Sequence, residues 1–256
     1  MQQSFAETLK SWRGVRHRSQ LDLALSTGVS ARHISFLETG RARPSRAMVL
    51  RLCEDLNVPR GARNQMLAAV GLAPAYEARA LSAAELAPLK EAVDWMLTRH
   101  APYPAIALDR HWGLVAMNPV AALMFGAVGI KEGDSLIEAV LHNIALRAAI
   151  VNVAEVEALA LARLRTELAH FGRDAVLEAA IAALQSRVAG TEAAPALGAL
   201  PAMMPAVYQL ADQQLSLFST ISQFGATEDI AMADLRIELF FPADEATRVA
   251  LTALEP

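Results

Sequence analysis

Apolar positions recur at helical spacing in two short bursts within SQLDLALSTGVSARHISFLETGRARP, residues 19–44. The first, Gln20–Ser26, predicts a short helix with Ser19 as its N-cap. The second, Ala31–Glu38, predicts another, capped by Ser30. Gly28 falls between them, where a tight turn needs a permissive backbone. On a wheel of about 100° per residue, Ile34 and Leu37 share one side of the second helix. With Leu21, Leu25 and Val29 they are expected to form a small core. The opposite side carries Arg32, Ser35 and Phe36, with Ala31 and His33 at its edges. Arg41, Arg43 and Arg46 follow as a basic wing. Pro44 and Ser45 then open a further helix whose apolar phase runs Met48, Leu52, Leu56, with Cys53 on the same face as an expected core residue.

Two capped helices around a glycine turn, with a charged face opposite a small core, predict a helix-turn-helix. The chemistry of that face suits a DNA groove. Arg32 can grip a guanine edge through two hydrogen bonds, and Phe36 can pack on a thymine methyl. Gln20 and Ser30 stand at helix N-termini, where amides and short polar side chains hold phosphates. The stretch resembles the Xre/phage-repressor family, including LETGRARPS after the second helix. The resemblance implies a mainly α DNA-binding domain of five helices over about Phe5 to Val70, placed within residues 1–72. It also implies base contacts from Ala31, Arg32 and Phe36, and phosphate contacts from Gln20 and Ser30. His33, Ser35, Arg41 and Arg43 complete the expected DNA-facing set.

Downstream the pattern changes. Leu72–Leu81 is a Pro/Ala connector, and Ser82-Ala-Ala-Glu85 is a capping box opening a helix to about Arg99, with a bend expected at Pro88. Ala105–Leu108 and Leu114–Met117 read as strands around a turn at Asp109–Gly113, and Pro119 opens a short helix to Phe125. Ser135–Ala189 is helical, with an expected buried stripe of Val156, Leu159, Ala160, Arg163, Leu164 and Leu168. Thr191–Pro205 reads as a loop. Strands return at Val207–Ala211, Leu215–Phe224 and Ala233–Phe241, and a helix closes the chain over Asp244–Ala253. This order predicts an α+β domain with an antiparallel sheet and a helical insertion, over residues 80–256.

Two segments of that region, PYPAIALDRHWGLVAMNPVAALMFG and LSLFSTISQFGATEDIAMADLRIELFFPADEAT, resemble the opening and the end of the MmyB-like, PAS-like ligand-binding domain. The resemblance implies a sensor that holds an apolar, fatty-acyl-like ligand. This chain has Asn152-Val153 where Asn-Trp is the expected pair, and Ser135 where Asn is commoner. The residues expected at the ligand are Trp112, Asn118, Phe125, Leu141, His142, Asn143, Phe218 and Thr220. Phe218 and Thr220 stand on a strand that alternates faces, so only one alternate set can meet a cavity.

Charge sharpens the division. Residues 1–79 hold 12 Lys/Arg against 6 Asp/Glu, while residues 80–256 hold 11 against 21, so a basic head precedes an acidic body of net charge −10. Hydrophobic residues make up 54% of the chain, which predicts a large core or an apolar cavity. A single cysteine excludes an internal disulfide. The six histidines show no metal-like spacing, so neither a metal nor a cofactor is expected. No nucleophile elbow, phosphate-binding loop or dinucleotide fingerprint is present, so no catalytic residues are assigned and an enzyme is not expected. With no signal pattern at the N-terminus and no run approaching ~20 apolar residues, a cytoplasmic protein without membrane contact is expected. The expected partners are a double-stranded DNA operator, an apolar small molecule and a second copy of the chain. The competing reading is a constitutive or partner-controlled regulator whose PAS-like domain serves dimerisation.

Overall fold

The computed structural model describes residues 4–76, 87–171, 174–189, 203–210, 212–224 and 234–253. By compactness the chain divides into two units, residues 1–78 with 165–178 and residues 79–164 with 179–256. The first unit opens with five helices, α1 (Phe5–Val15), α2 (Gln20–Thr27), α3 (Ala31–Glu38), α4 (Arg46–Asp55) and α5 (Arg60–Ala68). Serines start four of them. Ser4, Ser19, Ser30 and Ser45 each accept the N3 amide of α1, α2, α3 and α4. Gly28 ends α2 in the left-handed conformation at φ 66°, which is where the turn requires glycine.

The core of this unit joins Leu9 and Trp12 of α1, Leu23 and Ala24 of α2, Ile34 and Leu37 of α3, and Leu52 and Cys53 of α4. Ile34, Leu37 and Val29 pack as expected, but Leu21 and Leu25 do not. They stand 58% and 74% exposed, and α2 buries Leu23, Ala24 and Thr27 instead. Ala24 is small enough to let helices approach closely, and Thr27 satisfies its hydroxyl on the Leu23 carbonyl. Burial pushes the Cys53 thiol up to about 12, so it is an inert core group.

The second unit is built on a five-stranded, wholly antiparallel sheet in the order β2-β1-β5-β4-β3. The strands are β1 (Ala105–Leu108), β2 (Leu114–Met117), β3 (Ala206–Leu210), β4 (Gln213–Gln223) and β5 (Arg236–Pro242). Between β2 and β3 lie α7 (Pro119–Gly126), α8 (Leu136–His142), α9 (Ile144–Ala149), α10 (Val153–Phe171) and α11 (Ala175–Ala189). This is the α+β architecture with a helical insertion that the element order predicts. The helix α6 (Ala87–Arg99) precedes the sheet, and α12 (Glu245–Thr252) follows it.

The described part of α6 begins at Ala87, so the start of the helix, and with it the bend expected at Pro88, falls outside the described residues. The Ser82–Glu85 capping box, residues 77–81 of the connector and most of the Thr191–Pro205 loop lie outside the described residues. On α10, Leu159 is exposed, and the buried face runs through Ala158, Leu161 and Leu164. Glu157, also buried, receives Arg147 of α9 and Arg187 of α11, which ties three helices together.

Alternation divides the sheet. Ala105, Ala107 and Ile237 face α6, packing on Val93 and Leu97. Leu215 and Leu217 of β4 face the other way, onto Val120 of α7 and Leu251 of α12. Both sheet edges are occupied. Val151 donates to the Val207 carbonyl of β3 at 2.8 Å, and Leu114 of β2 donates to the Asp134 carbonyl at 2.9 Å. Each edge is thus partly paired within the chain.

One buried side chain joins α6, β1 and α7. Asn118 accepts the amides of Ala105 at 3.1 Å and Ala121 at 2.9 Å, and donates to the carbonyls of Leu97 at 3.2 Å and Tyr103 at 2.8 Å. Asn118→Ala strands two buried amides and two carbonyls. It is expected to destabilise the second unit by about 2–4 kcal/mol. Hydrogen exchange of the β1 and α7 amides checks this, and protection unchanged from the parent protein would contradict it.

Candidate DNA interface and ligand pocket

The exposed side of α3 carries the expected DNA-facing set. Arg32 is exposed, while Ala31, His33, Ser35 and Phe36 are half-buried. The Arg32 guanidinium lies 5.3 Å from the Phe36 ring centroid, so the cation and the aromatic face form one unit before any DNA arrives. Ser30, at the start of the helix, accepts the His33 amide.

Gln20 is held by a network that sequence spacing does not reveal. Its amide donates to Glu38 Oε2 at 2.7 Å. Arg13 of α1 grips the same carboxylate through Nε at 2.6 Å and Nη2 at 3.0 Å, and donates to the Arg18 carbonyl at 2.7 Å. Glu38 is buried on the inner side of α3, so this cluster sets α1 and α2 against the helix that presents Arg32. Burial raises the Glu38 pKa, but hydrogen bonds from Arg13 and Gln20 outweigh it and leave the carboxyl below its ordinary value. The same hydrogen bond raises the Arg13 pKa.

The expected basic wing divides. Arg41 is exposed. Arg43 donates to the Val70 carbonyl at 2.6 Å, and Arg46 donates to the Ala73 carbonyl at 2.6 Å and the Pro74 carbonyl at 3.1 Å. Those two arginines secure the segment that follows α5. Glu38 and Arg13 are the residues that sequence reasoning missed. They stand 25 positions apart, and no periodicity joins them.

The second unit contains a small apolar pocket between the inner sheet face and the helices. Its walls are Met124, Phe125 and Val128 from α7 and its exit, Leu146 and Ala149 from α9, and Pro104, Leu217 and Phe240 from the sheet side. Tyr208, Gln209 and Leu210 of β3 close it. No charged side chain lines it. The space is narrow, about 30 Å³ for the centre of a water molecule. Burial of Tyr208, with Glu238 adding to the effect, holds its phenol protonated well above the ordinary range. The pocket therefore offers mostly apolar walls, with Tyr208 and Gln209 the residues of its lining that carry polar groups.

Of the residues expected at the ligand, Phe125 lines this pocket. Asn118 is committed to the four hydrogen bonds above. Trp112 is buried with a φ of 61°, and the Arg163 guanidinium lies 4.3 Å from its ring centroid. Its backbone is held in the hairpin turn by Asp109, whose carboxylate receives the Gly113 amide at 2.8 Å. A Cβ at position 113 would come within 2.6 Å of that carboxylate, which explains the glycine. Leu141 is core, and its carbonyl receives Arg187. His142 is exposed and faces Glu138 at 3.5 Å, one turn away. Asn143 caps α9 and donates to the Val128 carbonyl at 2.9 Å, behind the pocket wall. Phe218 stacks on Phe241 at 5.6 Å on the opposite sheet face, and Thr220 shares that face. The alternate set of β4, through Leu217, is the one that meets the cavity.

Among the described residues no group of three or more His, Cys, Asp or Glu could hold a metal ion, and no helix is long and apolar enough to cross a membrane. A serine-capped helix pair presenting an arginine-aromatic surface, followed by an α+β unit with an apolar pocket, defines a DNA-binding regulator with a ligand-binding domain. The chain belongs to the MmyB-like transcription regulator ligand binding domain family, whose model matches residues 89–254. A helix-turn-helix domain model matches residues 4–66. These are families of transcription regulators, not of enzymes. The solved PAS domain of Bordetella pertussis BvgS is similar over 65% of this chain and 95% of that one, at 14% identity and a TM-score of 0.32. No curated protein matches the chain.

Glu38→Gln keeps the shape of the α1–α3 junction but removes its charge. It is expected to cost about 2 kcal/mol at neutral pH. Because folding lowers the Glu38 pKa, its contribution is present above the ordinary carboxylate range and fades as pH falls through the folded value. Hydrogen exchange of the α1–α3 amides at neutral pH and at pH ~3 checks this. The gap between parent and variant should narrow in acid, and a constant gap would contradict the assignment.

Proposed function

We propose that this protein is a cytoplasmic, ligand-responsive transcription regulator of the Xre type. It binds a two-fold operator as a dimer, and its second domain takes an apolar small molecule such as a fatty acid or acyl conjugate. The observation that carries the reading is the uncharged, mostly apolar lining of a pocket in a chain that also bears a helix-turn-helix. Arg32 and Phe36 read bases, with Ala31, His33 and Ser35 beside them. Gln20, Ser30 and Arg41 meet phosphates, Gln20 from the position that Glu38 gives it, while Arg43, bound through one nitrogen to the Val70 carbonyl, reaches DNA only if it leaves that bond or uses its other nitrogens. Two half-sites about one helical turn, ~10 bp, apart match such a dimer.

The present cavity is far smaller than an acyl chain. A ligand of that kind has to part α7 and α9 from the sheet, and it acts on the regulator only insofar as it prefers the opened arrangement. The same small volume favours the second reading, in which the domain serves dimerisation and no small molecule enters.

Two measurements test these statements. Selection from random DNA should recover a pseudo-palindromic operator. Arg32→Ala should then weaken binding by about 1–3 kcal/mol and relax preference at one base position in each half-site. A uniform loss across all sequences would remove Arg32 from base reading. Denaturing extraction of the purified protein with mass spectrometry should yield an apolar molecule at about one per chain, and much less from Ala149→Phe, which fills the pocket. Empty protein, whose operator binding is indifferent to added lipids, would favour the second reading.

A further inference from the structure

One polar side chain belongs to the inner wall of the pocket. Tyr208 and Gln209 are neighbours on β3, so their side chains point to opposite faces of the sheet. Gln209 is exposed, while Tyr208 shares the inner face with its cross-strand partner Leu215. The Tyr208 hydroxyl makes no hydrogen bond among the described residues. A phenol on an apolar wall with no protein partner is a donor open to whatever enters.

The charge next to it is negative. The inner sheet face continues from Phe240 to Glu238 on β5 and from Leu217 to Ser219 on β4. Glu238 is buried, and both its oxygens are engaged away from the phenol, Oε2 by Arg163 at 2.8 Å and Oε1 by the Ser219 hydroxyl at 2.6 Å. Its carboxylate still acts on Tyr208 and helps to keep the phenol protonated. Neither Arg163, which is bonded to Glu238, nor Arg236, two positions further along β5, reverses that sign. No cation lines the pocket to receive an anion.

We propose that Tyr208 is the polar anchor of the pocket, and that with Glu238 beside it the site selects an apolar chain ending in a neutral hydrogen-bond acceptor, an ester, amide or alcohol oxygen, over a free carboxylate. The inference rests on the apolar-ligand reading above and narrows it, from fatty acid or acyl conjugate to the neutral class. The phenol donates to the ligand oxygen, and the chain lies along the apolar walls. A carboxylate in the same place loses its hydration and faces a like charge that no lining cation offsets.

Titration calorimetry of the full chain at neutral pH with octanol, octanamide and octanoate tests it. Ala149→Phe, which fills the pocket, should abolish binding of all three. In the parent protein octanoate should bind roughly tenfold or more weaker than the other two. Tyr208→Phe removes only the hydroxyl, so its thermal unfolding should match the parent. It should weaken octanol and octanamide by roughly three- to tenfold and leave octanoate unchanged. Glu238→Gln, where folded, should narrow the gap between octanamide and octanoate. Octanoate binding the parent as tightly as octanol overturns the proposal and leaves the apolar-ligand reading standing. Octanol and octanamide binding Tyr208→Phe as they bind the parent does the same, as does an unchanged gap in folded Glu238→Gln. Binding of none of the three overturns that reading and this inference with it.

Discussion

A carboxylate cannot be buried among helices unless its oxygens are satisfied, and Glu38 shows what that constraint builds. Two guanidinium nitrogens of Arg13 and the amide of Gln20 converge on it. Those three residues belong to α1, α2 and α3, so the requirement of one buried charge fixes the mutual placement of all three helices. The outward face of α3 inherits that placement. Arg32 stands exposed on a helix whose inner side is held from two directions through Glu38. Asn118 plays the neutral counterpart in the second unit. Four hydrogen bonds to backbone groups of α6, the α6–β1 connection, β1 and α7 fix how the chain passes from α6 into β1 and where α7 starts against it. In both units a polar group inside the core supplies the geometry that apolar contacts alone leave loose.

The parts of this architecture that depend on neighbours in sequence were legible. Serine before a helix, glycine after it and proline opening the next are local signals, and the helix-turn-helix, the β1–β2 hairpin and the start of α7 follow from them. Alternation along β4 and β5 was likewise visible. What was not legible is the choice among faces. Leu21 and Leu25, spaced one helical turn apart, form the more apolar stripe of α2, yet α2 buries Leu23, Ala24 and Thr27. A small residue that permits close approach outweighed two leucines, and only the partner helix reveals that preference. Leu159 on α10 is the same kind of case.

The candidate sites divide along the same line. The residues of α3 expected to face DNA lie within one helix, so a wheel suffices to group them. The pocket draws single residues from α7, α9, β3, β4 and β5, elements far apart in the chain. Asn118, Trp112 and Asn143 attracted interest because polar and aromatic residues at element ends often serve ligands. Here each is occupied with backbone or with Arg163. The pocket is instead walled by residues with no distinctive chemistry, such as Val128, Leu146 and Ala149, which pattern alone cannot tell from ordinary core.

The pocket is walled by the sheet on one side and by two short helices on the other, and this bears on how a sensor of this build can work. A close-packed interior responds to added volume by moving whole elements, because side chains have few rotamers to yield. The sheet side of the cavity is held by β-ladders whose edges are partly paired, so it is the stiffer wall. The helical side is thinner. α9 is only six residues long, held by Asn143 at one end, by the Arg147–Glu157 pair near the other, and to β3 through Val151 just beyond it. Strain introduced between them therefore falls on α7, on α9 and on the β3 edge to which the end of α9 is bridged. Those elements are consequently where occupancy of the pocket would first become visible from outside the domain.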